Sequence, residues 1–453
     1  MMRWLRFLLP ATVALAVATP ALADIYVHLK DGRVIAVPVD AKDLDYIDIG
    51  PDSGRTRQDQ QEAPPPQAQL PSGPEGRGPR LPDGGDFRGP GPHKPQTYRV
   101  GPDQNFKTPG ALQNIARDGD TIEIEAGTYD NDSAEWDQNG LTFKGIGGRA
   151  HLRSRGDLRN GKGIWIITGN NITVENIEFS GAMVNDGNGA GIRAEGGKLT
   201  IRNSYFHDNE FGILSDNDGR GDITIENSEF YHQIRTGTYS HNIYIGIAKR
   251  FRLTGSYIHG AVGGHQVKSR ALYNYIAYNR IEDGKDGNGS YAIDLADCGE
   301  SYIIGNAIQQ GRNSENYTGI SYGAEGCGPG IPQQAYIVNN TFVNDALAAT
   351  FVVNHVQAPL VLRNNLVVGT AQLAEGPVKN EDNLVERRAA FVDRANMDFH
   401  LKKGSAAIDK GIDPGKAPNG LSLTPEFEYK NPLSTVPRKI IGKIDIGAYE
   451  YAP

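Results

Sequence analysis

Lys268 and Arg270 lie two residues apart in the phrase GHQVKSRAL, and side chains two apart on a strand share one face. The preceding phrase of the same kind, NIYIG, offers Tyr244, and the following one, AIDLA, offers Asp294. His241 and His265 lead into the first two of these segments, and Tyr291 leads into the third. Together these side chains can remove a proton beside a carboxylate and expel a leaving group, a β-elimination. That reaction needs a cation to neutralise the carboxylate and hold the developing enolate charge. It needs a base near its working pKa, and a Lys or His beside other cations can be shifted downward. It also needs a proton donor for the departing oxygen. Lys268 is assigned as base and Arg270 as charge stabiliser. Tyr244 or His265 is the donor, Asp294 orients Lys268, and His241 completes the catalytic set. Asn242, Tyr291, Arg193 and Glu325 are assigned to substrate binding. The competing reading is a solvated charged surface with a single Lys268–Asp294 ion pair.

These residues come together only if distant segments stack. Between residues 170 and 370 one phrase recurs eight times: a short apolar strand, an Asn, Ser or Gly, then a large apolar residue opening a polar turn. The closing residues are Phe179, Phe206, Phe230, Ile258, Ile281, Ile308, Phe342 and Val367, in steps of 23 to 34 residues. Repeats of this size built from strands and turns are coils of a solenoid. Propeller blades need about 40–45 residues, and the leucine-rich phrase is missing, so a parallel β-helix fits best. The recurring Asn fits stacked amide ladders at the turns. A second strand in each coil then places Ile192, Ile213, Ile243, Val267, Ile293 and Ile320 inward. Their successors Arg193, Leu214, Tyr244, Lys268, Asp294 and Ser321 form an outward column, with neighbours about 4.8 Å apart.

Composition fits this reading. The chain has 453 residues with 56 Gly and 4 Met, and few stretches have helical periodicity. A net charge of −8 with dispersed charges leaves no basic face for nucleic acid. Residues 1–23 read as a signal peptide: Arg3 and Arg6, an apolar run from Phe7 to Ala18, then Ala21-Leu22-Ala23. The run is shorter than the ~20 residues a membrane span needs, so a periplasmic or secreted protein starting near Asp24 is expected. Residues 24–50 read as a hairpin with a third strand. Residues 51–96 are a Pro/Gly-rich disordered linker, and the stretch 51–95 holds 11 of the 26 prolines. A helix opened by Thr108-Pro109, with Leu112, Ile115 and Ala116 on one face, should cap the coils of residues 97–384. Residues 385–453 should close the far end. Cys298 and Cys327 are 29 residues apart, close to one coil, and within reach of a disulfide between coils.

The opening GDTIEIEAGTY and the closing HLKKGSAAIDKG and DIGAYEY resemble phrases of the pectate-lyase-like superfamily, over about residues 97–453. The resemblance implies an all-β, right-handed parallel β-helix with carbohydrate-active chemistry, although such folds also serve as adhesins and binding proteins. The phrase GHQVKSRALYNYIAYNRI is similar to the segment around the catalytic Lys-Ser of polysaccharide lyase family six, the chondroitinase B and alginate lyase group. That similarity implies Lys268 as base and an acidic, uronate-containing polysaccharide as substrate. It also implies calcium, but the group's glutamate ligands five and seven residues before the Lys are replaced by Gly263 and Ala261. Gly289 stands near the position of the group's downstream Arg, which leaves Arg270 to neutralise charge. Three alternatives remain open: a glycoside hydrolase using Asp294 with Asp297 or Glu325, a uronate epimerase, and a non-catalytic polysaccharide-binding or surface-structural β-helix.

Overall fold

The computed structural model describes residues 93–453 except 157, 159 and 234–239, together with the backbone of two strands, Ala23–His28 and Val34–Val39. Those two strands pair antiparallel, with Ala23 opposite Val39. They fall in the first of two units, Met1–Asp86, and the second is Phe87–Pro453. The expected leader up to residue 22, the expected third strand of the 24–50 segment and most of the expected linker lie outside the described residues.

In the larger unit each coil contributes three strands. One set builds a ten-stranded parallel sheet running from Ala134–Trp136 through Ile243–Ile245, Val267–Ser269, Ile293–Leu295 and Thr318–Tyr322 to Ala371–Glu375. The other two sets build a large second sheet that folds around one corner. The phrase-closing residues stack in register from Phe179 to Val367. Phe179, Phe206 and Phe230 lie ring on ring, 5.0 and 4.7 Å between centroids, and all three are fully buried.

The corner shows why the phrase carries Ser or Asn. The side-chain oxygens of Ser228, Ser256, Asn279, Asn306, Asn340, Asn365 and Asn383 each accept the backbone N–H of the equivalent residue one coil earlier. The turn leaves those N–H groups without strand partners, and buried donors need acceptors. The residue before each rung takes a left-handed backbone; Asn203, Asn227, Asn339 and Asn364 have φ between 48° and 54°, which Asn tolerates better than most residues.

Two expectations change in detail. The cap is a single 3-10 turn, Pro109–Leu112, not a longer helix. Leu112 and Ala116 join the core, but Ile115 is exposed. Residues 385–453 do not serve only the far end. They run back along the side of the coils, where Phe399, Leu401, Ile446 and Tyr449 pack with Val343, Leu366 and Val368. Leu423 packs with Tyr278, Tyr302 and Val338. The physical reason lies in those coils, whose outward positions there are apolar and need covering. Among the described residues no helix is long and apolar enough to cross a membrane.

Candidate active site

On the ten-stranded sheet the inward residues Ile192, Ile213, Ile243, Val267, Ile293 and Ile320 pair in unbroken register and are fully buried. The next residue of each strand faces outward, so Arg193, Leu214, Tyr244, Lys268, Asp294 and Ser321 are consecutive rungs. Lys268 lies between Tyr244 and Asp294, and its Nζ is 3.4 Å from Asp294 Oδ2.

Arg270 ends the same strand phrase and reaches over the column. Its Nε donates to Tyr244 Oη at 3.0 Å, and its Nη1 donates to Asp297 Oδ1 at 2.6 Å. The Glu325 carboxylate bridges the two cations, accepting from Lys268 Nζ at 2.6 Å and from Arg270 Nη2 at 2.5 Å. Charges thus alternate along one chain of contacts: Asp297, Arg270, Glu325, Lys268, Asp294. The disulfide between Cys298 and Cys327, with Cα atoms 5.5 Å apart, ties together the two turns that carry Asp297 and Glu325. Gly323 begins the second turn at φ +75°, and a Cβ there would sit 2.9 Å from Cys298 Sγ, so that turn can reach Glu325 only through glycine.

The histidines form a separate ladder. His241 and His265 stack with centroids 4.6 Å apart, and His265 lies 4.7 Å from the Tyr291 ring. The backbone N–H of Tyr291 donates to His265 Nδ1 at 3.3 Å. The remaining ring proton therefore belongs on Nε2, which faces Asp294 Oδ2 at 3.5 Å. Burial and the Lys268 charge push the His265 pKa down to about 3, so the ring is neutral.

Burial works against Lys268 too, yet the Glu325 hydrogen bond and the Asp294 charge outweigh it and hold its pKa above the ordinary value. The expected downward shift thus falls on His265 and not on Lys268. Burial raises the Asp294 carboxyl, while contacts to Lys268 and Arg270 outweigh burial at Glu325 and lower it.

The structure does not gather every residue that was singled out. Asn242 is fully buried, and its amide donates to His259 O at 2.9 Å and to Gln266 Oε1 at 2.6 Å, as part of a structural ladder. Arg193 lies two rungs before Tyr244 and faces Glu195 at 3.6 Å. Lys268 and Asp294 are not on an open groove floor but buried beneath Arg270 and Glu325, with relative exposures of 8% and 3%. Sequence reasoning missed Asp297 as the partner of Arg270. Its adjacency to Cys298 was the available signal, because a disulfide between coils brings that turn to the site.

Calcium does not fit the positions the similarity implies. Ala261 is fully buried, neither it nor Gly263 offers an oxygen side chain, and the nearby Glu325 and Asp297 are already bonded to cations.

The pectate lyase Pel9A structure superposes on this chain with a TM-score of 0.57 at 16% identity, covering 80% of this chain and 98% of that one. The fold is a right-handed parallel β-helix. An alginate lyase from Paenibacillus sp. str. FPU-7 aligns with a TM-score of 0.39 at 16% identity, over 64% of this chain and 98% of that one. No protein-family model and no curated protein sequence matches the chain.

Proposed function

We propose that this β-helix is a polysaccharide lyase that cleaves a uronate-containing polymer by β-elimination at Lys268 and Arg270. One observation carries the reading. The two cations already clasp a carboxylate, that of Glu325, at 2.6 and 2.5 Å. A uronate carboxylate has the same charge and the same fork of oxygens, and Arg matches that fork with two donors. Glu325 therefore holds the substrate's place, and its half-exposed turn lets it swing away.

When the uronate carboxylate takes Arg270, Lys268 loses Glu325, the strongest of the groups that raise its pKa. Burial and the Arg270 charge then favour the neutral amine, with Asp294 alone opposing them. Lys268 removes the proton from the carbon bearing the carboxylate, and Arg270 holds the enolate charge. The electrons return to form the carbon–carbon double bond and break the bond to the linking oxygen. Tyr244, whose oxygen accepts from Arg270, supplies its own proton to that oxygen. His265 holds its proton toward Asp294 and acts as a positioning residue rather than a donor. Export through the leader, into a compartment that permits the Cys298–Cys327 bond, suits a polymer substrate.

A second reading has its own observation. Asp294 and Glu325 both contact Lys268 Nζ, at 3.4 and 2.6 Å, so these carboxylates are at most about 6 Å apart with pKa values pushed in opposite directions. A pair of that kind serves glycoside hydrolysis, although here Lys268 stands between the two.

The test is a panel of acidic polysaccharides. The lyase reading expects reducing ends to appear together with the ultraviolet absorbance of an unsaturated uronide. Reducing ends without that absorbance select the hydrolase, a changed uronate composition without cleavage selects an epimerase, and polymer retention without turnover selects a binder.

A further inference from the structure

The large sheet carries a second cluster outside the proposed site. His151 lies in the strand Thr142–Arg153, Glu178 in Ile177–Ser180 and His207 in Tyr205–His207, on three successive coils. Parallel register sets His151 directly beside Glu178 and His207 beside Ser180. The Glu178 carboxylate oxygen Oε1 sits 3.2 Å from His151 Nδ1 and 3.1 Å from His207 Nε2. All three ligand atoms lie within 4.8 Å of one another, and each residue is half-buried and reachable from solvent.

From this arrangement we infer that His151, Glu178 and His207 form a site for a divalent transition ion of the zinc class, tying three coils together. Zinc bonded to nitrogen and oxygen at about 2.0–2.1 Å in a tetrahedron separates its ligand atoms by about 3.3 Å. The two histidine-to-glutamate distances already have that size. Two imidazoles with one carboxylate select a transition ion over calcium, which prefers oxygen alone.

The outer contacts support the same conclusion. His207 turns its other nitrogen to Asp208 at 2.7 Å, and His232 holds the second oxygen of that carboxylate at 2.8 Å. A carboxylate behind a ligating imidazole fixes the ring and raises its basicity. His151 turns its other nitrogen to Ser180 Oγ at 2.7 Å. Both rings are thus aimed by their outer nitrogens, and each presents its remaining nitrogen to the same point. The three protein ligands leave a fourth position for water or for an oxygen of a bound molecule. The proposed lyase chemistry uses none of these residues.

The test uses the full chain stripped with a chelator. Zinc is titrated against a chromophoric competitor, and cobalt is added as a spectroscopic probe. The inference expects one equivalent of tight zinc, and visible cobalt bands of tetrahedral strength. Affinity should fall more than tenfold in His207→Ala and in Glu178→Gln, and about 10–100-fold in Asp208→Asn, which removes only the outer carboxylate. Circular dichroism of each variant checks the fold. Absence of a stoichiometric site in the unaltered chain overturns the inference, whatever the variants do. Unchanged affinity in a folded His151→Ala/His207→Ala double variant also overturns it.

Discussion

The ladder at the corner and the outward column of the ten-stranded sheet are built on the same coils but behave oppositely. At the corner every rung from Ser204 to Asn383 is a Ser or an Asn, because each solves the same problem, an unpaired backbone N–H. On the outward column every rung differs: Arg193, Leu214, Tyr244, Lys268, Asp294 and Ser321. The parallel register is unbroken from rung to rung, so pairing does not explain the variety. In a solenoid, uniform columns carry stability, and a column that abandons uniformity marks where side chains meet something other than the protein.

Substitutions can break this contrast. The largest effect is expected for Lys268→Ala, which should lower turnover on a cleaved polymer by roughly 10²–10⁴-fold, the usual contribution of a general base, in a protein that still folds but melts lower because buried Asp294 loses its cation. Arg193→Ala, three rungs away on the same column, should leave turnover near normal; equal losses in both would dissolve the distinction. Phe206→Ala, in the uniform interior column, should cost about 3–5 kcal/mol in denaturant unfolding and leave the chemistry of the remaining folded protein intact. Asn306→Ala should cost about 1–3 kcal/mol, because the Asn279 N–H it accepts at 3.0 Å would be buried without a partner.

A pH dependence accompanies these substitutions. His265 has its pKa lowered from 6.5 to about 3 on folding. As pH falls, the unfolded chain binds that proton first, so its contribution is full above 6.5 and is lost from there down toward 3. Melting temperatures recorded across this window should fall less steeply for His265→Asn than for the unaltered chain. Parallel profiles would place the histidine outside the buried ladder.

Much of this was legible in the sequence because stacking turns periodicity into contact. The inward Ile and Val column, the outward column beside it and the rungs from Phe179 to Val367 follow directly from the step length and the alternation of a strand. What stayed hidden lay in the turns, whose lengths vary and whose side chains obey no period. Glu325 could be noticed as a carboxylate near the site but not as the bridge between Lys268 and Arg270. Asp297 could be named as a second carboxylate for a hydrolase but not, for the same reason, as the partner of Arg270. The direction of the Lys268 shift was misjudged because it depends on that bridge: burial and Arg270 lower the pKa, and Glu325 together with Asp294 outweighs them. The path of residues 385–453 was equally hidden, since covering an apolar flank leaves no periodic mark on the segment that covers it.

The claim at the centre of this account is that Arg270 is the seat for a substrate carboxylate, which Glu325 fills in the free protein, and that Lys268 beside it is the base. A crystal structure of Lys268→Ala with an oligouronate from the polymer the unaltered protein cleaves tests it most directly. The account predicts a sugar carboxylate on the Arg270 guanidinium and the Glu325 side chain displaced into solvent. An oligouronate bound elsewhere, with Glu325 still on Arg270, would contradict it.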